Sequence, residues 1–132
     1  MGLDNIPKPP PCLVLEKAGK LKVERAPDGK IDCGKTACPF KSIPHVVGGV
    51  FGTYCWLRGK VYNDLVEELT GFSFYEDLSR RDLETILQRL LKPEGNIGTI
   101  ALLNDDERIV RLIRYLKALL STGWDGKLVA WY

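Results

Sequence analysis

The four cysteines of the chain, Cys12, Cys33, Cys38 and Cys55, all lie in its N-terminal half. Four thiolates are a ligand set that a structural zinc ion takes, in a tetrahedral site closed to solvent. The spacer between Cys33 and Cys38 matches that of one metal-binding knuckle. Cys12 and Cys55 belong to no close pair, so the two-knuckle spacing of a zinc ribbon is missing. The sequence predicts a zinc site formed by all four cysteines.

Other chemistries of the same cysteines stay open. Clustered cysteines in a reducing cytoplasm are more often metal ligands or reactive thiols than disulfides, although two disulfides would also hold this region together. The Cys38-Pro39 pair resembles the end of an iron–sulfur ligand run, but the tight spacing of preceding cysteines is missing. A thiol-redox enzyme needs Cys-x-x-Cys at a helix N-terminus, and here the spacer is longer. His45 could replace one cysteine as a metal ligand.

Residues 29–36 match the pattern G-x-x-x-x-G-K-[ST] of a phosphate-binding loop. That loop requires a buried strand before it and a helix directly after it. The residues before it are polar and include Pro27, and Pro39 and Pro44 interrupt the residues after it. We interpret the match as a chance occurrence and keep nucleotide binding as a remote alternative.

Trp56, Arg58 and Lys60, next to Tyr54, mix aromatic and basic side chains, as nucleic-acid-binding surfaces do. Trp56 is expected instead in the core, covering the cysteine site. Residues 1–60 hold ten basic and five acidic residues, and residues 61–132 hold nine and twelve. This imbalance is modest for a polyanion-binding protein, so a protein partner is favoured over nucleic acid.

The 132 residues fit one domain, with a Pro-rich arm (1–11), a basic cysteine-bearing half (12–60) and an acidic helical half (61–132). The apolar runs are too short to span a bilayer, and residues 1–11 do not resemble a secretory signal. The sequence therefore predicts a cytoplasmic protein that does not enter a membrane.

Short-range sequence patterns predict the strands, turns and helices that would position these residues. Leu13–Lys17 and Leu21–Arg25 predict a hairpin that turns at Ala18-Gly19, and Pro27-Asp28-Gly29 predicts a second turn. Apolar stripes predict three helices, which lie after about Tyr54, after Ser79 and after Asn104, and short strands are expected at 99–103 and 128–132. We predict an α+β fold with a small, mostly antiparallel sheet, about three helices packed on it and a loop-rich N-terminal half.

Several segments of the first 60 residues resemble a group of archaeal proteins to which no activity is attached. The resemblance rests on Gly2–Pro7, Pro11-Cys12, Ile31–Cys33, Cys38-Pro39 and Gly52–Lys60. It implies an archaeal source, which favours both metal sites and disulfides, and it implies no activity.

The sequence favours a non-enzymatic binding module for a macromolecular partner, ordered by zinc at the four cysteines. The alternatives are a thiol-redox protein and a disulfide-stapled structural or interaction protein. Arg108, Arg111 and Arg114, three apart on the last predicted helix, are expected to form a solvated basic stripe.

Overall fold

Three strands and four α-helices form the described part of the chain in a computed structural model, which covers residues 3–32, 35–42, 55–91 and 107–131. The strands are β1 (Asp4–Lys8), β2 (Leu78–Ser79) and β3 (Lys127–Trp131). The helices are α1 (Pro11–Lys17), α2 (Gly59–Thr70), α3 (Arg80–Leu91) and α4 (Glu107–Ser121), with a short 3-10 helix at Pro39–Ser42. The predicted α+β class is confirmed.

The sheet is antiparallel with the order β1-β3-β2, so the last strand in sequence lies at its centre. β1 pairs with β3 along its whole length, from Asp4 opposite Trp131 to Lys8 opposite Lys127. β2 adds only two residue pairs, Leu78 opposite Leu128 and Ser79 opposite Lys127. The sheet therefore forms only when segments from both ends of the sequence meet.

The proline-rich arm supplies β1, although proline cannot donate to a ladder. Asn5 exchanges two main-chain hydrogen bonds with Leu57 on the side away from β3, at 2.7 and 2.9 Å. Alternate residues of a strand direct their main-chain groups to the same side, so Pro7 also faces away from β3. The N–H that Pro7 lacks is therefore not needed by the sheet.

The hairpin predicted over Leu13–Lys17 and Leu21–Arg25 is wrong, because Pro11–Lys17 forms α1. Pro11 lies in the first helical turn, where its fixed φ suits a helix and its missing N–H has no intrahelical partner to lose. The apolar run after it is too short for its periodicity to distinguish a strand from a helix.

Gly19, which was expected in the hairpin turn, ends α1 instead, with a φ of 73°. The Gly19 N–H donates to the carbonyl oxygen of Glu16 at 3.0 Å, and the Lys20 N–H donates to that of Leu15 at 2.9 Å. This pair of bonds is the Schellman motif, which places a glycine in the left-handed region just after a helix.

The predicted turn at Pro27-Asp28-Gly29 is confirmed. The Gly29 N–H donates to the carbonyl oxygen of Ala26 at 2.9 Å, and Gly29 has a φ of 85°. Arg25 and Ile31 form an isolated antiparallel bridge on either side of the turn.

The cap predicted for α3 is confirmed and is reciprocal. The Ser79 N–H donates to Asp82 Oδ2 at 3.0 Å, and the Asp82 N–H donates to Ser79 Oγ at 3.2 Å. The two residues form a capping box in which Asp replaces the more common Glu. This cap starts α3 directly after β2.

The three longer helices pack together and cover one face of the sheet. The predicted apolar stripe of α4 is largely buried, but Val110 is 47% exposed. Tyr115, on the same helix, is fully buried. Among the residues that the structure describes, the largest fully buried side chains are Trp124, Tyr62, Tyr115, Phe40 and Phe74.

Some predictions lie outside the described residues. They are the strand at 99–103 and the start of the last predicted helix at Asn104.

Candidate binding site on the outer face of the sheet

Three of the four predicted zinc ligands lie in described segments. Cys12 is buried in the first turn of α1, Cys55 is buried in the main core, and Cys38 is half-buried against that core. They are not joined to one another by disulfides. Within the described residues, no three His, Cys, Asp or Glu side chains form a group that could hold a metal ion. Cys33 and His45 lie outside these residues, so the four-cysteine zinc site stays a prediction.

Cys55 is held through its main chain. Its carbonyl oxygen accepts a 2.6 Å hydrogen bond from the buried Tyr115 hydroxyl, which connects the segment before α2 to α4. Burial raises the pKa of the Tyr115 hydroxyl well above its ordinary value, and the neighbouring Cys55 raises it further. This bond fixes the chain two residues before Leu57, where it meets β1.

The phosphate-loop match does not have the required context in the segments that the structure describes. The Thr36 hydroxyl donates to the carbonyl oxygen of Asp32 at 2.8 Å and accepts from the Glu24 N–H at 3.1 Å. Thr36 is 1% exposed, so this hydroxyl does not face a ligand. Its neighbours Ala37 and Cys38 are not helical, and a 3-10 helix follows them.

The Arg108, Arg111 and Arg114 stripe is partly neutralised. Arg108 lies 3.9 Å from a carboxylate oxygen of Asp64, and Arg111 lies 3.2 Å from one of Glu107. Arg114 is exposed. This pattern fits the solvated stripe expected from the sequence.

The second face of the sheet, away from the helices, carries a different set of side chains. Asn5, Pro7 and Leu128 are buried toward the helices. The alternate positions of the same strands face the other way. They pair across the ladder as Asp4 with Trp131, Ile6 with Val129, and Lys8 with Lys127. We call this second face the outer face of the sheet.

Trp56 reaches the outer face because of the bridge between Asn5 and Leu57. Leu57 is fully buried in the core. Its neighbour Trp56 is half-buried: it packs partly against that core, where the sequence placed it, and it also lines the outer face. The Trp56 and Trp131 rings meet edge to face, with centroids 5.9 Å apart and an interplanar angle of 83°. This is a favoured geometry for an aromatic pair.

An open groove of about 380 Å³ lies beside the two rings, and we call it the tryptophan groove. It is lined by Ile6, Lys8, Trp56, Val129, Ala130 and Trp131. Trp131 is 52% exposed. Exposed aromatic surface next to an apolar floor is typical of a binding surface and unusual at a random surface position.

The two ends of the outer face differ in charge. Lys8 and Lys127 are exposed and directly opposite each other, and neither forms an ion pair within the described residues. At the other end, Asp4 lies opposite Trp131, and its buried Oδ1 atom has no hydrogen-bond donor in the described segments. The outer face therefore carries aromatic side chains and the acidic Asp4 at one end and two lysines at the other.

Hydrogen bonds from buried and loop side chains hold the strands under the groove. The buried Asn5 side chain donates from Nδ2 to the carbonyl oxygen of Phe74 at 2.9 Å. Asp77 Oδ1 accepts from the Ala130 N–H at 3.0 Å. The groove is thus built on paired strands, which position side chains more rigidly than a loop does.

Sequence reasoning singled out Trp56 but not Trp131, Ile6 or Lys8. A signal was present in Leu128–Trp131, which is apolar at every position instead of alternating. An edge or surface sheet with one solvated face alternates apolar and polar residues. The unbroken run indicated that both faces of this strand contact apolar groups.

No protein-family model matches the chain, and neither a curated protein nor a solved structure matches it. None of the helices in the described ranges combines the length and hydrophobicity needed to cross a membrane.

Proposed function

We propose that this protein is a non-catalytic binding module that holds a protein partner in the tryptophan groove. The observation that carries the proposal is the edge-to-face pair of Trp56 and Trp131 on the outer face of the sheet, with Trp131 52% exposed. Tryptophan, with tyrosine and arginine, is enriched among the few residues that dominate binding energy at protein interfaces.

The composition of the groove supports binding over catalysis. Among the described residues that line it, Lys8 is the one with a titratable side chain. In general acid–base and nucleophilic catalysis, such a group is commonly activated by a second one within hydrogen-bond reach. An apolar floor with a charged rim is instead the usual composition of a protein–protein contact.

The four-cysteine zinc site belongs to the same proposal as a stabilising element. Cys12, Cys33, Cys38 and Cys55 would order the segments between β1 and α2. Cys55 comes directly before Trp56, so a metal bound there would also fix one wall of the groove. We assign the protein to the cytoplasm, where thiolates stay reduced and available to a metal.

The three tryptophans allow a direct test, because Trp124 is fully buried and serves as an internal control. The protein is labelled with 5-fluorotryptophan, and each resonance is assigned with a Trp→Phe variant. Heptapeptides selected on the protein from a random phage-displayed library are then titrated in. We expect the Trp56 and Trp131 resonances to shift and the Trp124 resonance to stay in place.

Affinity of the same peptides gives a second readout. Trp131→Ala should weaken binding at least about tenfold, as loss of an interface hot spot does. Tyr75→Ala is the matched control, because Tyr75 is also an exposed aromatic residue (45%) but does not line the groove. If no selected peptide shifts Trp56 or Trp131, or if both variants bind equally, the groove is not the binding site.

A further inference from the structure

We infer that the tryptophan groove takes an extended peptide segment with an apolar or aromatic residue and an acidic residue about four positions apart. This inference rests on the proposed function and names the chemistry of its partner. It follows from the separation of the two ends of the outer face, their different charge and the closed edges of the sheet.

The distance between the two ends is set by β3. Trp131 and Lys127 are four residues apart in one strand, which places their Cα atoms about 13 Å apart. A bound peptide in an extended conformation has the same rise per residue. A side chain seated against the tryptophan pair therefore has its fourth neighbour along the peptide beside the lysines.

The lysine end favours an anionic group. Lys8 and Lys127 face each other across a ladder pair, and like charges in this arrangement repel. Within the segments that the structure describes, neither lysine has an acidic partner. A carboxylate from a bound peptide would lie between two cations and relieve their repulsion. Val129 and Ile6, paired between the two ends, leave an apolar floor for the residues in between.

The edges of the sheet direct the peptide to its face. On its far side β1 is bridged by Leu57, and Pro7 has no N–H to offer there. On the other side of β3, the Ala130 N–H donates to the Asp77 side chain. A peptide cannot extend the ladder at these positions, so its side chains make the contacts and their spacing sets the specificity.

Two other occupants fit less well. A nucleic acid strand carries a phosphate at each nucleotide, but the tryptophan end of the outer face presents the acidic Asp4. The tryptophan rings also contact each other edge to face and leave no parallel slot for stacked bases. A second copy of the chain would need roughly 20 to 30 residues a side for a stable dimer, and the groove is lined by six.

The test uses the same random heptapeptide library. The enriched sequences should share an apolar or aromatic residue and, about four positions away, a glutamate or aspartate. For one synthetic peptide of this set, the double variant Lys8→Gln/Lys127→Gln should weaken binding about three- to tenfold, the range for two exposed charge contacts. Higher salt should also weaken binding, because exposed charges are screened.

A matched control separates a local contact from net charge. Lys17→Gln/Lys117→Gln removes two exposed lysines of α1 and α4 that do not line the groove. This change should alter affinity less than about twofold, because isolated exposed charges contribute little at a distance. Replacing the acidic residue of the peptide with its amide should reproduce the effect of the Lys8/Lys127 variant.

The outcomes distinguish this inference from the proposed function. If enriched peptides lack the acidic residue, or bind the Lys8/Lys127 variant and the control equally, the inference is overturned while shifts at Trp131 still support a binding groove. If no peptide shifts Trp131, both fail. Tighter binding of a twelve-nucleotide oligothymidylate that shifts Trp131 overturns the inference in favour of nucleic acid. Concentration-dependent dimerisation lost in Trp131→Ala overturns it in favour of a second copy.

Discussion

The indole Nε1–H of Trp124 donates a 2.8 Å hydrogen bond to the carbonyl oxygen of Pro9, 115 residues earlier in the sequence. Trp124 is fully buried between the end of α4 and β3, and Pro9 directly follows β1. The bond therefore joins the two segments that form the main ladder of the sheet, at the lysine end of the outer face.

Replacing Trp124 with Phe should destabilise the protein by about 2 to 4 kcal/mol. The smaller ring leaves a cavity, and the Pro9 carbonyl loses its donor. Urea unfolding followed by far-UV circular dichroism measures the change. Trp131→Phe is the control and should cost less than about 0.5 kcal/mol, because Trp131 is half exposed. Equal losses in the two variants would contradict the role given to the Trp124–Pro9 bond.

Gly126 should not tolerate alanine, because a Cβ atom there would overlap the carbonyl oxygen of Lys8 and lie 2.7 Å from Pro9 Cδ. The backbone would have to move, and we expect Gly126→Ala to cost about 3 kcal/mol, the upper part of the range for overpacking. Hydrogen exchange should show faster exchange of the Lys8 amide, which faces β3. Urea unfolding of Gly126→Ala and of the unmodified protein measures the change in the free energy of unfolding.

Gly19→Ala provides the comparison for Gly126→Ala. Gly19 has a φ of 73°, but a Cβ atom added to it would meet no other atom within 4 Å, so only backbone strain opposes the change. That strain is worth about 1 kcal/mol, and Lys8 exchange should be unaffected. A loss at Gly126 no larger than at Gly19 would argue against close packing of the β1 and β3 ends.

Stability should fall above about pH 10 because of Tyr115. Burial raises the pKa of its hydroxyl well above the ordinary value of 10.0, so the folded state keeps a proton that the unfolded state loses. The stabilisation is therefore complete below the unfolded pKa and is lost as the pH rises above it, by about 1.4 kcal/mol per pH unit. Burial also raises the pKa of Tyr62, which acts in the same direction.

Tyr115→Phe isolates this contribution. The variant should be less stable at pH 8, because the Cys55 carbonyl loses its hydrogen bond. From about pH 10 to 11.5 it should lose less stability than the unmodified protein, so the gap between the two narrows. Urea unfolding at a series of pH values gives the free energy of unfolding of each protein as a function of pH. If the two curves run parallel above pH 10, Tyr115 is not responsible for the loss of stability at high pH.

Protein purified without added metal should contain about one zinc ion per chain if Cys12, Cys33, Cys38 and Cys55 form the predicted site. Chelator should then destabilise the unmodified protein, because metal-binding energy contributes directly to folding. Each single Cys→Ser variant should lose zinc and should respond little to chelator. Elemental analysis measures the zinc content per chain, and a free-thiol count is made on the same sample. A protein with no metal and no free thiols would contain disulfides instead of a zinc site.

Local signals in the sequence were sufficient where both partners of an interaction lie close together. The capping box of Ser79 and Asp82 and the turn at Pro27-Asp28-Gly29 join residues three apart, so their geometry follows from residue type. A short-range pattern gave the wrong prediction for Leu13–Lys17, because Gly19, which follows this segment, suits a hairpin turn and a helix cap equally well. Only the proline before the run distinguished the two.

Periodicity and caps act within a few residues, so the α+β class, the three longer helices and the C-terminal strand could be predicted from the sequence. That the proline-rich arm is a strand, that β3 is central and that Trp56 and Trp131 share a groove with Lys8 follows only from the folded chain. These residues meet only through the pairing of β1 with β3 and the bridge from Asn5 to Leu57. Such long-range pairings depend on the packing of the whole chain, and no local pattern encodes them.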